Sequence, residues 1–270
     1  MLVSVILSTY NQPLWLDKVL YGYSLQSYTD FEVVIADDGS KQETFELIAR
    51  YQKETNLKIR HVWHEDDGFR KCTILNKAIL ASEGEYLIFS DGDCIPRADF
   101  VATHVDYSQK GYFLSGGMYR LTMDVSQTIG HEEIKSQRCF DVTYLHSIGQ
   151  KKSFFKDLKC SSPQWLAKTL NALTPTRASW NGHNSSGWKT DILETRGFDE
   201  RMKYGGEDRE MGERLMNAGL KSKQIRYSAI CIHLEHSRGY VSDEDWKRNY
   251  QIRKETKQNK AKRTEFGIKY

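Results

Sequence analysis

A mostly parallel α/β sheet flanked by helices is the fold that this 270-residue chain predicts, and three observations lead to it. Short runs of Val, Ile and Leu alternate with longer amphipathic stretches through the first 120 residues, the rhythm of repeated βαβ units. The apolar runs are nearly continuous rather than alternating, as in strands covered on both faces. Each run ends in Asp, Gly, Asn or Ser, where a strand gives way to a turn.

In chain order, the strand at Val3 to Leu7 precedes a helix at Leu14 to Gln26, and that at Glu32 to Ala36 precedes Thr44 to Gln52. The strand at Ile59 to His64 leads to a helix at Cys72 to Ala81, and that at Tyr86 to Ser90 to a helix at Ala98 to Gln109. Right-handed crossovers place all the loops that follow strands on one edge of the sheet. Thr9-Tyr10-Asn11-Gln12, Asp37-Asp38-Gly39-Ser40, the acidic stretch from Glu65 to Arg70, and Asp91-Gly92-Asp93 therefore converge on one rim.

From about Thr122 to Ala178 the periodicity fades and lysines interrupt Phe154-Phe155 and Trp165, which reads as an irregular insertion with short helices that serves an acceptor. Asn181 to Trp188 reads as a Gly/Ser/Asn loop, Lys189 to Thr195 as a short helix, and Glu207 to Ala218 as an amphipathic helix ended by Gly219. Ile230 to Ile232 is the last strand expected. Beyond Trp246 a Lys/Arg-rich helix frays into a tail. The expected division is one domain over 1–245, with halves at 1–120 and 121–245, then the basic segment 246–270.

Composition excludes several classes. A net charge of +3 gives no nucleic-acid signal, and the five cysteines are scattered and odd in number, as reduced thiols in a cytosol are. No run approaches the roughly 20 apolar residues that cross a bilayer, and no leader is visible, so a cytoplasmic protein is expected. The basic C-terminal segment has two readings: peripheral contact with the anionic inner face of a membrane, or a plain solvated helix, the simpler of the two. Gly-rich phosphate loops of the dinucleotide and P-loop kinds are absent from the sequence.

Several clusters could carry chemistry. Asp91-Gly92-Asp93 sets two carboxylates one residue apart at a strand end, where a hard metal and a diphosphate could be held, although a solvated turn explains the same residues. Asp37 and Asp38 suit either contacts to a base or ribose or a capped turn. His233 and His236 could join carboxylates around a Mn²⁺-like ion, but residues three apart on a strand face opposite sides, so both can do so only if the chain turns after Leu234. His236 is the favoured ligand. Gly205-Gly206-Glu207-Asp208 places acids at the head of a helix, which fits a general base or mere dipole compensation. Trp180, Trp188 and Tyr204 could pack on sugar faces or be local core.

Taken together, these segments resemble the inverting glycosyltransferases of family 2 and their GT-A fold. Val3 to Asn11 resembles the family's opening strand and Thr-Tyr-Asn turn, Asp37-Asp38-Gly39-Ser40 its uridine loop, and Asp91-Gly92-Asp93 its D-x-D. Asn184, Gly197-Phe198-Asp199, Gly205-Gly206-Glu207-Asp208 and His236-Ser237-Arg238 are similar in order to galactosyltransferase-type C-terminal regions. Tyr204 stands where such relatives often carry Trp, and Arg209 replaces an acid.

The resemblance implies a UDP-sugar donor, Mn²⁺ or Mg²⁺, and a glycan or lipid-linked acceptor in bacterial surface-polysaccharide synthesis, with 1–120 as the nucleotide-sugar-binding half and 121–245 as the acceptor-binding and catalytic half. It implies a nucleotide-sugar pocket of Thr9, Tyr10, Asn11, Asp38, Asn76, Asp91 and Gly92, with Arg70 on the diphosphate. Asp93 would bind the metal with His236, Asp91 and His233 in support; Asp208 would be the base, and Glu207, Trp188 and Tyr204 would meet the acceptor. The competing expectation is a glycan-binding or scaffold module on the same fold, which would need no base.

Overall fold

The computed structural model describes residues 1–237 and 242–269. Among the described residues ten strands form two sheets: β1 (Val3–Thr9), β2 (Phe31–Asp37), β3 (Lys58–Trp63), β4 (Tyr86–Asp91), β5 (Cys94–Pro96), β6 (Tyr112–Ser115), β7 (Gly117–Arg120), β8 (Ser185–Trp188), β9 (Lys221–Gln224) and β10 (Ile230–His233). The main sheet runs β3-β2-β1-β4-β8-β6-β9, and β5-β10-β7 make a small second sheet.

Strands β1 to β4 are parallel, as the βαβ rhythm predicts. Val3, Val5 and Leu7 point into one core with Val33, Ile35 and Ile88, while Ile6 points into the other with Val34, Ala36, Leu87 and Phe89. Alternation of the side chains across the pleat thus fills both faces of β1, β2 and β4, which read as nearly unbroken apolar runs because neither face meets water, whereas β3 at the sheet edge is mixed and part exposed. The helices Pro13–Ser24, Gln42–Glu54 and Lys71–Ala81 follow β1, β2 and β3. Pro13 opens the first of them, where its missing N–H costs nothing.

The expected loop over Asn181 to Trp188 is in part a strand. Ser185-Ser186-Gly187-Trp188 lies antiparallel between β4 and β6, with Tyr86 opposite Trp188. Its small polar residues carry no strand pattern; burial is met instead by hydrogen bonds, Ser186 Oγ lying 2.8 Å from the Tyr86 hydroxyl and 2.7 Å from His104 Nδ1. Burial pushes the His104 pKa down to about 4, so the ring is neutral in this network.

The segment 122–178 is a chain of short helices, Met123–Thr128, His131–Lys135, Val142–Ser147, Phe154–Ser161 and Gln164–Leu173. The first three supply Val125, Ile134 and Leu145 to the core beneath β1.

The basic C-terminus differs most from expectation. Asp243–Gln258 is a regular helix capped by Ser242, and the chain after it is docked rather than frayed. Ile252 and Ile268 belong to the second core, Thr264 Oγ1 donates to Asp199 at 2.7 Å, and Ile268 N donates to Arg196 O at 2.8 Å. Lysine-rich composition hid these apolar anchors, which are few and far apart. Among the described residues no helix is long and apolar enough to cross a membrane, and all five cysteines are free thiols.

Candidate active site

The carboxyl ends of β1, β2 and β4 and the end of β10 open on a cavity of about 630 Å³. Ligands collect there in open α/β sheets because the helix-bearing crossovers leave the strand ends uncovered. Ser8, Thr9, Tyr10, Asn11, Asp38, Asp91, Gly92, Asp93, Tyr204, Glu207, Asp208, His233 and His236 all line it, joined by Lys71, Gly182 and His183.

On the β1–β2 side, loop 9–12 and loop 37–41 are tied together: Asn11 N donates to Ser40 Oγ at 2.8 Å, and Lys41 N donates to Asn11 Oδ1 at 2.9 Å. Asn11 takes a left-handed backbone (φ 47°), which asparagine tolerates. Asp37 is turned away from the cavity and accepts from Ser40 N and His61 Nε2, both at 2.8 Å. Asp38 accepts from His64 Nε2 at 2.7 Å and Arg70 N at 3.0 Å. Burial raises the Asp38 pKa against those two hydrogen bonds. Tyr10 is half exposed, its hydroxyl donating to Asp66 at 2.8 Å.

At the end of β4 the two aspartates are treated differently. Ser8 Oγ and Lys71 Nζ donate to Asp91 Oδ1 at 2.6 and 2.8 Å. Burial alone would raise the Asp91 pKa; the Lys71 ammonium and these hydrogen bonds outweigh it and hold the carboxyl well below the usual range. Asp93 faces the histidines. His236 Nε2 lies 2.8 Å and His233 Nε2 3.7 Å from Asp93 Oδ2. Leu234 N donates to Asp93 O at 2.9 Å, and the chain beyond β10 turns so that the two imidazoles stack 6.0 Å apart. Arg238 and Gly239, which follow them in the sequence motif, lie outside the described residues.

Asp93, Cys94 and His233 offer atoms within 4.8 Å of one another. Burial pushes the Cys94 thiol well up, and it donates to Asp93 Oδ1 at 3.3 Å, so it is a proton donor rather than a thiolate ligand. A carboxylate with two imidazoles remains, a mixed oxygen and nitrogen donor set that fits a divalent ion such as Mn²⁺.

The helix Glu207–Asn217 brings Asp208 into the lining, within reach of the charges of Lys71 and Asp91. Gly205 and Gly206 precede it with φ of 110° and 94°, a turn that side chains resist. Glu207 folds back and accepts from Gly205 N at 2.8 Å. The Asp208 carboxyl rests against Gly182, where an added Cβ would stand 2.8 Å from Oδ2, and its Oδ1 is buried with no hydrogen-bond partner among the described residues. Burial, then the charge of Glu207, push the Asp208 pKa up to about 7, with Lys71 opposing them. Lys71 itself is held charged, since Asp91, Asp208 and Glu207 together overcome the cost of its burial.

Three expected site residues stand elsewhere. Arg70 turns its guanidinium to Asp67 at 2.9 Å and His64 at 3.3 Å and does not line the cavity; the cation that does is its neighbour Lys71. Asn76 spends its amide on Phe198 N and O and on Glu200, fastening the helix Lys71–Ala81 to the loop after residue 197. Trp188 lies at the far end of the sheet, because β8 runs antiparallel to β4 and ends beside Tyr86, where Lys110 covers its ring. Trp180 is fully buried against Phe89 and Phe113. Asn184 is a bolt between sheets, donating to Gly117 O and Ala229 O at 2.8 and 3.0 Å.

Lys71, Gly182 and His183 went unrecognised in the sequence. Lysine at a helix start and Gly-His in a polar loop are unremarkable until the fold sets them beside Asp91 and Asp208. Burial lowers the His183 pKa to about 4 against the charges of Asp91 and Asp93, so the ring that lines the cavity is neutral.

A mostly parallel sheet with a D-x-D at the end of its fourth strand, closed by an antiparallel strand and an acid-headed helix, defines a GT-A type glycosyltransferase fold. Residues 4–177 match the profile of Glycosyl transferase family 2, and the chain belongs to that family. Among curated relatives, chondroitin synthase of Escherichia coli is 23% identical over 253 residues, covering 86% of this chain and 34% of the relative. Two solved structures share the fold. Staphylococcus aureus TarS 1-349 in complex with UDP-GlcNAc superposes with a TM-score of 0.61 at 18% identity, over 93% of this chain and 64% of that one. The mannosyltransferase PcManGT of Pyrobaculum calidifontis, in complex with GDP-Man and Mn²⁺, gives 0.59 at 18% identity, over 95% and 61%. The chain thus spans about a third of the chondroitin synthase and less than two thirds of either structure.

Proposed function

We propose that the chain is an inverting, divalent-metal-dependent glycosyltransferase that moves a hexose or N-acetylhexosamine from a UDP-sugar to a glycan or lipid-linked acceptor in bacterial surface-polysaccharide synthesis. The observation that carries the reading is one cavity in which Asp93 stands beside two histidines while Asp208, an acid titrating at about 7, lines the same space. The UDP-GlcNAc and Mn²⁺ held by the two structural neighbours support the choice of donor and ion.

Thr9, Tyr10, Asn11 and Asp38 would receive uracil and ribose, with Asp91 and Gly92 beside the ribose. Asp93, His236 and His233 would hold Mn²⁺ or Mg²⁺, with Asp91 acting through its hydrogen-bond network. The bound ion supplies Lewis-acid neutralisation of the departing diphosphate. Glu207 and Tyr204 would meet the acceptor. Asp208 accepts the acceptor's hydroxyl proton as that oxygen bonds to the anomeric carbon; the bond from that carbon to the diphosphate breaks, and its electron pair leaves with the nucleotide. One displacement inverts the anomeric centre, and a single base suffices. Lys71 keeps the carboxylate-rich floor from repelling the diphosphate.

The test is a panel of UDP- and GDP-sugars incubated with the protein and Mn²⁺, read by mass spectrometry. One UDP-sugar should be consumed with release of UDP, and Asp208→Asn should bind it but not transfer it. Consumption of a GDP-sugar alone, or full turnover by Asp208→Asn, would overturn the donor or base assignment respectively.

A further inference from the structure

The helices Phe154–Ser161 and Gln164–Leu173 turn large apolar side chains outward. Phe154, Phe155, Trp165 and Leu173 are 75%, 77%, 70% and 74% exposed. Soluble surfaces carry such residues singly, but here four stand on two consecutive helices, and the Phe154 and Phe155 rings pack edge to face 5.5 Å apart. Exposed Lys151, Lys152, Lys156, Lys168 and Arg177 accompany them. The only acid between residues 148 and 177 is Asp157, and it is turned inward, accepting from Tyr119 and Ser153 N and pairing with His146. The outer surface that this segment itself contributes is therefore apolar and cationic; the exposed carboxylates of Asp99 and Asp106, from another helix, share a groove with Ser162 and Ala167.

We propose that this face docks the protein on a bilayer containing anionic phospholipid. Lysines alone would suit any polyanion, but a soluble polyanion offers nothing to two Phe, a Trp and a Leu. Hydrocarbon beneath a negative headgroup layer satisfies both halves of the surface. Self-association is disfavoured by charge, since a two-fold axis would bring two equally cationic faces together. The helix Phe154–Ser161 is fixed to the cavity wall: Tyr119 of β7 donates to Asp157 at 2.8 Å, and Lys159 Nζ donates at 3.3 Å to the carbonyl of Met118, which lines the cavity. The C-terminal segment, by contrast, commits Ile252 and Ile268 to the core and shows Trp246, Tyr250 and Phe266 at 46%, 67% and 48% exposure, spread along a helix and tail rather than paired as Phe154 and Phe155 are. The inference concerns binding alone and stands whatever sugar or acceptor the cavity takes.

Sedimentation of the whole chain with vesicles tests it. Binding is expected to vesicles of phosphatidylcholine with phosphatidylglycerol and not to phosphatidylcholine alone, and raised salt should weaken it. A triple variant, Phe154→Ser, Phe155→Ser and Trp165→Ser, should lose at least about tenfold in affinity, because each ring would otherwise enter the interface. Lys257→Gln with Lys260→Gln and Lys262→Gln should change it less than about twofold, these lysines lying outside the face. Nucleotide-sugar binding by the triple variant should be unchanged, which certifies its folding. The proposal is overturned if the chain stays in the supernatant with anionic vesicles at low salt, or if the triple variant sediments like the parent. It is equally overturned if the rings drive dimerisation in ultracentrifugation, or if polyphosphate competes as well as vesicles do.

Discussion

Lys71 Nζ lies 2.8 Å from Asp91 Oδ1, and this contact joins the start of one helix to the end of the fourth strand at the floor of the cavity. Its charge also reaches Asp208 and Glu207. One buried cation thereby serves three carboxylates. Replacing Lys71 by Met would leave them facing a diphosphate unaided, and kcat/KM should fall about a hundredfold, the scale of losing one preorganised charge donor. Steady-state kinetics with saturating Mn²⁺ measure it; a fall of less than threefold or so would remove Lys71 from the donor site.

The pH dependence follows from Asp208. Its folded pKa is raised to about 7, first by burial, so the carboxyl is protonated below that pH and idle as a base. Activity should rise as pH increases through about 7 and then level, with unit slope on the acid limb. Lys71→Met removes the cation that favours the carboxylate, so the limb should move to higher pH. A rate independent of pH across this range would argue that Asp208 is not the base.

Gly182 gives a steric test of the same group. Its added Cβ would stand 2.8 Å from Asp208 Oδ2 and 3.1 Å from Oδ1, so Gly182→Ala must displace the carboxyl. Misplacement of a reacting group by a fraction of an ångström to an ångström costs about 10- to 100-fold in rate. Thermal stability should change little, since the contact is at the cavity wall. The split between kcat and Tm is the readout.

A second determinant of Asp208 comes from the far end of the chain. Asn249 is fully buried and its Nδ2 lies 2.9, 3.3 and 3.1 Å from the carbonyls of Lys203, Tyr204 and Gly205. An added Cβ at Gly205 would collide with Trp246 of the same helix. The left-handed turn that aims Asp208 is thus clasped by the helix Asp243–Gln258. Asn249→Ala should cost about 1–3 kcal/mol, because buried carbonyls lose their donor. A denaturant titration reads the stability, and kcat should fall with KM for the donor nearly unchanged.

What the sequence made legible and what it hid divide along physical lines. Strands β1, β2 and β4 and the Asp-bearing loops after them announce themselves, since burial on both faces forces nearly unbroken apolar runs, while the part-exposed edge strand β3 shows by its place in the βαβ rhythm. Strand β8 is hidden because its serines are buried on hydrogen bonds, to Tyr86 and His104, that no periodicity records. Trp188 looked like a site residue by its type and Asn76 by the family resemblance, and strand direction and tertiary pairing remove them from the cavity. Lys71 was passed over for Arg70 because adjacent residues on a helix start point about 100° apart. Asn249 carried no signal at all, lying among lysines in a segment that read as a tail.

The metal proposal makes the sharpest prediction. Asp93 Oδ2 is the oxygen shared by His236 at 2.8 Å and His233 at 3.7 Å, whereas Asp91 is occupied by Ser8 and Lys71. Asp93→Asn keeps the shape but gives up the charge that a hard divalent ion requires, so Mn²⁺ binding measured by calorimetry should weaken by about 10- to 100-fold or more. Asp91→Asn should leave Mn²⁺ affinity closer to that of the parent and act on donor affinity instead, since its carboxylate balances Lys71. His236→Ala should weaken the ion more than His233→Ala, in keeping with the two distances. Chelation by EDTA should abolish transfer by the parent protein, and added Mn²⁺ should restore it. Equal effects of Asp91→Asn and Asp93→Asn on Mn²⁺ affinity would show that both carboxylates ligate, and would require Lys71 to release Asp91 when the ion enters.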